Sequence, residues 1–299
     1  MLAPPSRSAA RALADKNAIA ALLQDVAGLP RDTTVGLAAR IQRLSSAILG
    51  RAYGLDPLGE GADGVVDSDP LWRLDVFDCL SLVETVLALA RANSMAGFVE
   101  ELTRIRYRQG ELAFGARNHF MEADWLPANI ERGVLADVSR SLPAPQATAD
   151  GLLTRKRWLQ MLQSNPLQAG NTALRRSAAA QRELRRLAEL ASATEPVSLA
   201  YARLRELTPA GLAAVIAAIP PSAIVVIVRP NTSLFGAVGA VTQVSHLGFV
   251  VAGANGPSFR HASSKRRNAG VIDVPLLAYL QEMQRTRSFT GIKVLQAIP

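Results

Sequence analysis

Residues 71–92 read LWRLDVFDCLSLVETVLALARA and contain the pattern that decides the fold. Apolar residues recur there at the three- and four-residue intervals of an amphipathic helix. They are Leu80, Val83, Val86, Leu87 and Ala90. Asp78 stands directly before this run, where its side chain can accept a hydrogen bond from an unpaired N–H of the first turn. The spacing therefore predicts a helix that is capped by Asp78 and holds Cys79 in its first turn.

Cys79 is the only cysteine among the 299 residues, which excludes an intrachain disulfide and a cysteine-rich metal site. Helix N-termini stabilise a thiolate and bring the pKa of cysteine from about 8.5 to roughly 3.5–7.5. An imidazole within hydrogen-bond reach would complete an activated nucleophile, and a third group would orient that imidazole. A lone cysteine is also commonly a buried small hydrophobic residue, so a structural role stays open.

Two of the three histidines lie on neighbouring predicted strands downstream of Cys79. His246 lies within QVSHLGFVVAG (243–253) and His261 within SFRHASS (258–264), with a turn-forming GANGP between them. Two antiparallel strands joined by this turn can place both imidazoles on one face of a sheet, and the Cys79 helix can pack across that face. For each histidine, a half-buried structural role is the alternative.

The predicted elements run from helices to an antiparallel sheet, an order typical of the α+β class. Helices are predicted within residues 1–29, 32–51, 71–92 and 96–106. Strands are predicted at 134–140, 223–231, 243–253, 258–264 and 291–299. Residues 151–215 are rich in Leu, Ala and Arg and are predicted to be mostly helical. Breaks are expected there at Asn165-Pro166, Gly170-Asn171 and Glu195-Pro196.

The basic charge balance is a weak guide to function. The chain has 33 Lys and Arg against 25 Asp and Glu, a formal net charge of +8, and a cationic face can drive nucleic-acid binding. The basic residues are almost all Arg and are spread along the sequence, so we expect no nucleic-acid partner. The charge is compatible with weak attraction to an anionic polymer.

The sequence predicts neither a membrane span nor a metal site. Its longest apolar runs are far shorter than the ~20 residues of a membrane helix. The N-terminus lacks a signal-peptide core, so the protein is cytoplasmic or its export signal has been removed or lies upstream. His119, on a predicted loop, could formally join His246, His261 and Cys79 as zinc ligands. No HxxxH or CxxC pair is present to nucleate such a site.

Several of these blocks together resemble a known family. FDC at the start of the helix, SHLGFV (245–250) and HAS (261–263) resemble the NlpC-type papain-like cysteine peptidases of bacterial cell walls. The wider pattern is similar to the N-acetylmuramoyl-L-alanine amidase-like family within that superfamily. Its blocks are PLGEG (57–61), DPLWRLDVFDCLSLVETVLALA (69–90), IRYRQG (105–110), RNHF (117–120), Trp125 and Asn129. The resemblance covers about residues 50–140 and 220–295, and the cysteine block is its most specific part.

The resemblance implies a single papain-like domain over residues 1–299, with N-terminal helices packed on an antiparallel sheet. Residues 1–50 would be a helical extension, and residues 141–218 a helical insertion between the Cys79 helix and the histidine strands. The resemblance also implies Cys79 as the nucleophile, His246 as general base and acid, and His261 as the orienting residue. No cofactor or metal is implied.

The implied function is hydrolysis of an amide bond in peptidoglycan or a muropeptide, either as an N-acetylmuramoyl-L-alanine amidase or as a stem-peptide endopeptidase. His119 and Trp125 would line the substrate cleft, and Arg73 or Arg117 would bind a substrate carboxylate. The implied location is the periplasm or cell envelope. Two alternatives stay open: an acyltransferase on the same scaffold, and a non-catalytic module that binds the cell wall. The oligomeric state stays open as well.

Overall fold

The structure, a computed structural model, describes residues 7–164, 177–233 and 241–299. Over these residues the helices are α1 (Arg7–Asp25), α2 (Thr34–Ala47), α3 (Cys79–Arg91), α4 (Met95–Arg106), α5 (Leu126–Glu131), α6 (Arg155–Ser164), α7 (Ala178–Leu190), α8 (Pro209–Ala218) and α9 (Leu276–Gln284). The strands are β1 (Ala52–Tyr53), β2 (Val76–Phe77), β3 (Leu135–Asp137), β4 (Gln146–Leu153), β5 (Glu195–Arg203), β6 (Ile224–Ser233), β7 (Val241–Gly253), β8 (Gly256–Ser263), β9 (Gly270–Pro275) and β10 (Gly291–Ala297).

One antiparallel sheet forms the centre of the fold. Its strand order is β4-β5-β10-β6-β7-β8-β9, and the short β3 pairs with β10 beside β5. β1 and β2 form a separate two-stranded parallel pair. The molecule is therefore a mixture of helices and an antiparallel sheet, as the order of sequence patterns predicts.

The central sheet carries a separate hydrophobic core on each face, because successive side chains of a strand point in opposite directions. On one face, Leu247 and Phe249 of β7 pack in a core with helices α1 to α4. On the other face, Val250 packs in a second core with α8 and α9. A third core joins α6 and α7 to residues such as Phe114.

Helix α3 lies inside the first core, with each of residues 82–90 at most 3% exposed. A helix that is apolar around nearly its whole circumference is typical of a buried position. Arg40 of α2 stabilises the far end of α3, since its Nε donates to the Ala90 carbonyl over 2.6 Å and its Nη2 donates to the Ala92 carbonyl. The cysteine at the start of α3 is therefore held on a rigid element.

The stretch predicted to be a helical insertion is only partly helical. β4 and β5 lie within residues 141–218 and extend the central sheet. In β5, the buried residues Val197, Leu199 and Tyr201 alternate with exposed ones, so burial on one face of the sheet outweighs the helical composition of the stretch. The break predicted at Glu195-Pro196 is confirmed as the start of β5. Those predicted at Asn165-Pro166 and Gly170-Asn171 lie outside the described residues.

None of the helices in the described part of the chain is both long and apolar enough to cross a membrane.

Candidate active site

Cys79 is the first residue of α3, and Asp78 is its N-cap, as the sequence predicts. The Asp78 carboxylate accepts a hydrogen bond from the Ser81 backbone N–H over 2.7 Å, and the Ser81 hydroxyl accepts one from the Asp78 N–H over 2.9 Å. This reciprocal capping box satisfies two backbone donors that would otherwise be unpaired. It fixes the backbone on both sides of the thiol.

Asp78 also ties the loop that follows β1 to the start of α3. Its second carboxylate oxygen accepts a hydrogen bond from the Asp56 backbone N–H over 3.0 Å. Asp56 has a φ of 46°, a backbone conformation that is uncommon for a non-glycine residue. One side chain therefore sets the position of both the loop and the thiol.

His246 and His261 meet side chain to side chain, with Nε2 of His246 2.7 Å from Nδ1 of His261. They lie on β7 and β8, which pair in antiparallel register from Gly253↔Gly256 to Phe249↔Arg260. The sequence prediction that a tight turn brings the two imidazoles together on neighbouring strands is borne out. In a bond between two neutral imidazoles, one ring donates its N–H and the other accepts it.

Gly248 leaves the space that His261 needs. A Cβ atom at Gly248 would lie 2.9 Å from Cβ of His261 and from Cε2 of Phe259, and still closer to the Arg260 carbonyl. The phenyl ring of Phe259 stacks on His261 with ring centroids 4.9 Å apart and an interplanar angle of 16°. Tyr279 of α9 contacts the same imidazole at 5.5 Å. The orientation of His261 is therefore fixed by packing.

Cys79 and His246 lie in the walls of one cavity of about 310 Å³. The loop after β1 forms another wall of this cavity through Asp56 and its neighbours. Because it holds the candidate nucleophile, we call this space the catalytic cavity. Among the described residues, no hydrogen bond joins the Cys79 sulfur to His246. The backbone N–H groups of Leu247, Cys79 and Leu80 lie close enough to the thiol to lower its pKa.

The Cys79 thiol is a weak acid in this environment. Although the residue is only half-buried at the cavity wall, desolvation together with the neighbouring Asp78 carboxylate raises its pKa to about 12. The three backbone N–H groups lower the pKa but do not offset burial. The sequence predicts a lowered pKa from the helix N-terminus alone, and the structure corrects this because desolvation disfavours the thiolate.

Both imidazoles are held in the neutral form. Desolvation, together with the nearby His261 and Lys265, lowers the pKa of His246 to about 3. Burial is also the largest cause for His261, whose pKa falls to about 4, with Lys265 second. The neutral form leaves a ring nitrogen free to accept a proton, while the lowered pKa makes His246 a weak base in the free protein.

His119 and Arg117 lie in the catalytic-cavity wall, as predicted. The Nε2 atom of His119 is 2.8 Å from the Phe114 carbonyl, and burial together with Arg117 lowers the pKa of His119. Arg117 forms ion pairs with Glu60 at 2.6 Å and Asp67 at 2.9 Å. Its guanidinium therefore holds the loop carboxylates, a role that differs from the predicted capture of a substrate carboxylate.

The structure does not bring Trp125 or Arg73 into the catalytic cavity. Trp125 is fully buried in the core, where its indole N–H donates to Glu84 over 3.0 Å, because an indole N–H inside a protein needs an acceptor. Arg73 pairs with Asp75 at 2.7 Å and lies outside the cavity wall. These positions correct the predictions that Trp125 lines the cleft and that Arg73 binds substrate there.

Six further residues line the catalytic cavity although the sequence did not predict them as site residues. They are Tyr53, Glu84, Arg106, Asn118, Ser245 and Ser264. A signal for Glu84 was present, because it is a charged residue within the apolar run of α3. The structure supplies its partner, Arg106, at 2.7 Å, and both side chains are 4% exposed. The other four show no comparable signal in a single sequence.

Within the described residues, no three or more His, Cys, Asp or Glu side chains are grouped so that they could hold a metal ion.

Comparison with known proteins places these features in a family. A family model described as "AmiA-like: N-acetylmuramoyl-L-alanine amidase-like" matches residues 43–289. Protein LPG0564 of Legionella pneumophila has a similar crystal structure, with 29% identity, a TM-score of 0.84 and coverage of 98% of this chain and 97% of that one. No curated protein matches.

A second crystal structure, of an N-acetylmuramoyl-L-alanine amidase from Bacteroides uniformis, is 24% identical with a TM-score of 0.59. It covers 88% of this chain and 99% of that one, and this likeness shows the fold alone. Because the family model spans most of the chain, including Cys79, His246 and His261, the chain belongs to the AmiA-like, N-acetylmuramoyl-L-alanine amidase-like family.

Proposed function

We propose that the protein is a cysteine-dependent amide hydrolase that acts on peptidoglycan or muropeptides through Cys79, His246 and His261. The observation that carries this proposal is that the only thiol and His246, which contacts His261, lie in the walls of one cavity. Membership of an amidase-like family supports the substrate class. We further propose that the Cys79 helix and the histidine strands form a papain-like, NlpC-type core.

The tautomers of the two imidazoles follow from this role. His246 uses Nε2 in the bond to His261, so Nδ1 is the nitrogen that remains to take a proton. Nδ1 can act as a base only if it carries no hydrogen, which places the hydrogen of neutral His246 on Nε2. His246 then donates to Nδ1 of His261, and His261 carries its own hydrogen on Nε2.

The reaction begins from a neutral thiol and a neutral imidazole. Substrate binding brings the Cys79 sulfur and His246 into contact, since catalytic hydrogen bonds are often long in free enzymes and tighten in the complex. His246 takes the thiol proton as the sulfur forms its bond to the amide carbonyl carbon. Transfer during attack avoids a free thiolate, which burial disfavours at this position.

The tetrahedral intermediate carries its negative charge on the former carbonyl oxygen. The Cys79 backbone N–H is a suitable donor to this oxygen, because the first N–H groups of a helix have no partner within the helix. One such donor contributes roughly 3–4 kcal/mol in comparable sites. The C–N bond then breaks, and His246 returns the proton to the leaving amine, which produces a thioester on Cys79.

Water completes the cycle. His246 takes a proton from the water as its oxygen attacks the thioester carbonyl, and the proton then returns to the sulfur. The products are a carboxylic acid and an amine. Because its proposed substrate is a cell-wall polymer or a fragment of it, we propose that the protein works in the periplasm or cell envelope.

The proposal is tested by incubating the purified protein with defined muropeptides and identifying the products by mass spectrometry. Release of the intact peptide from the sugar would identify an N-acetylmuramoyl-L-alanine amidase. Shorter peptides would identify a stem-peptide endopeptidase. An acyl group transferred to an added amine, with no hydrolysed product, would contradict hydrolysis, and a complete lack of products would contradict the enzyme proposal.

A further inference from the structure

A second, larger cavity adjoins the catalytic cavity. It measures about 750 Å³ and lies between α7 and residues 108–117. Four residues line both spaces: Phe114, Arg117, His119 and Trp158. We call this second space the charged cavity. The two cavities are therefore direct neighbours.

The charged cavity presents both signs of charge at its rim. Arg108 and Glu111 approach from the segment after α4, and Glu183 and Arg186 approach from α7. Arg186 pairs with Glu183 at 2.7 Å, and its side chain is 56% exposed. Exposed pairs of this kind contribute little to stability, so a ligand can replace either partner at little cost.

The inner part of the cavity is a fixed ion-pair cluster. Arg155 of α6 binds Asp124 at 2.8 Å and Glu195 of β5 at 2.9 Å. These bonds connect three separate segments of the chain. The cluster therefore holds the shape of the charged cavity, while the rim residues remain accessible.

Close packing also fixes α7 above the cavity. A Cβ atom at Gly115 would lie 2.6 Å from Cδ2 of Leu187, so only glycine allows this approach without a shift. Leu187 follows Arg186 directly on α7. The contact places α7 directly beside the segment that carries Gly115.

The sizes of the two cavities indicate how they are used. The catalytic cavity, at about 310 Å³, is at the lower end of the roughly 300–1,000 Å³ that is typical for small-ligand sites. A substrate with several peptide residues would extend beyond it. The charged cavity offers that extension, and its charges select for polar groups of both signs.

We propose that the charged cavity binds the zwitterionic part of a peptide ligand, with a carboxylate at Arg108 and Arg186 and an ammonium group at Glu111 and Glu183. In the context of the proposed function, on which this inference rests, that ligand is the peptide portion of the substrate. The charged cavity would then bind charged side chains of the peptide, while the catalytic cavity holds the bond that is cleaved.

The test uses two matched peptides. N-acetyl-alanyl-glutamyl-lysine amide carries one carboxylate and one ammonium group, and N-acetyl-alanyl-glutaminyl-norleucine amide has nearly the same shape without charge. Their dissociation constants are measured at low salt by calorimetry with the full-length Cys79→Ala variant, so that turnover does not interfere. We expect tighter binding of the charged peptide.

Further substitutions in the Cys79→Ala protein show which residues cause the preference for the charged peptide. In Arg108→Gln/Arg186→Gln, we expect the preference for the charged peptide to fall by roughly two- to fivefold for each guanidinium removed. The Glu111→Gln/Glu183→Gln variant should reduce the preference by a similar factor, because it removes the carboxylates that are proposed to bind the ammonium group. Arg185→Gln is the matched control, because Arg185 is exposed on the same helix outside the cavity wall.

The proposal would be overturned if the Cys79→Ala protein, without rim substitutions, bound the two peptides with equal affinity. A preference that survives both double variants, or that falls equally with Arg185→Gln, would overturn it as well. These binding results are separate from the proposed function. A failure of the wild-type protein to hydrolyse muropeptides would contradict the enzyme assignment and leave the measured peptide preference intact.

Discussion

Nε2 of His246 lies 2.7 Å from Nδ1 of His261, and of these two imidazoles only His246 lies in the wall of the catalytic cavity. His261 is 6% exposed and packs between Phe259 and Tyr279. In the proposed mechanism, the group that orients His246 is therefore a neutral, packed imidazole in place of a carboxylate. Its contribution to activity should come from holding one tautomer and one ring position.

Replacing His261 by alanine should reduce kcat by roughly 10²- to 10⁴-fold, because His246 would lose the group that fixes its tautomer. KM should change little, since His261 is buried behind His246. Steady-state kinetics on a muropeptide substrate measures both values. His261→Asn keeps a side-chain acceptor and should recover part of the loss. An equal loss in both variants, or a change confined to KM, would argue against an orienting role.

Lowering the pH should destabilise the fold through His246, which is half-buried, and His261, which is buried. In the unfolded chain histidine titrates near pH 6.5, whereas in the folded protein burial lowers the pKa of His246 to about 3 and of His261 to about 4. Between these values the unfolded chain binds protons that the folded protein does not, so stability is present above pH 6.5 and is lost as the pH falls toward 4.

The expected size is up to about 1.4 kcal/mol per pH unit for each histidine over that window. Denaturant unfolding at a series of pH values measures it. The double variant His246→Gln/His261→Gln isolates the imidazoles from the carboxylates that titrate nearby, and its pH slope should be shallower. Parallel slopes for the two proteins would show that both histidines titrate normally in the folded state.

Gly248→Ala should disturb His261 directly. The added Cβ would lie 2.9 Å from Cβ of His261 and even closer to the Arg260 carbonyl. Overpacking of this kind costs about 1–3 kcal/mol, and activity should fall with it. Gly28→Ala is the matched control, because no atom lies within 4 Å of a Cβ there. Similar unfolding midpoints for the two variants would contradict the packing argument.

Glu84→Gln should be among the most destabilising changes in α3. Glu84 and Arg106 form a buried pair at 2.7 Å, and Glu84 also accepts from the Trp125 indole. Removing one charge leaves the Arg106 guanidinium buried without its partner, which costs about 3–5 kcal/mol.

Denaturant unfolding checks the Glu84→Gln prediction, with Asp25→Asn as the control. Asp25 pairs with Arg43 at 2.6 Å on the surface, where solvent screens the charges. The control should show no measurable change in the free energy of unfolding. If the two variants were equally stable, the buried pair would not be important for the fold.

Local patterns in the sequence predicted the parts of the site that depend on neighbouring residues. The capped start of α3 follows from Asp78 and the apolar spacing after it. The approach of His246 and His261 follows from two strands and one short turn. Each of these needs only contacts between residues that are close in sequence or joined by a hairpin.

The parts that were missed depend on distant contacts. The position of Trp125 is set by Glu84 on another helix, and the role of Arg117 by carboxylates on the loop after β1. β5 was missed because its composition suits a helix, although its buried residues alternate as in a strand. The raised pKa of Cys79 reflects burial, which only the packed structure reveals.

The central claim is that Cys79 is the nucleophile of an amide hydrolase. The most direct measurement compares the wild-type protein with Cys79→Ala on the same muropeptides, with products quantified by mass spectrometry and folding checked by circular dichroism. We predict product formation by the wild-type protein and a loss of at least about 10³-fold in the variant. Equal activity of two folded proteins would contradict the claim.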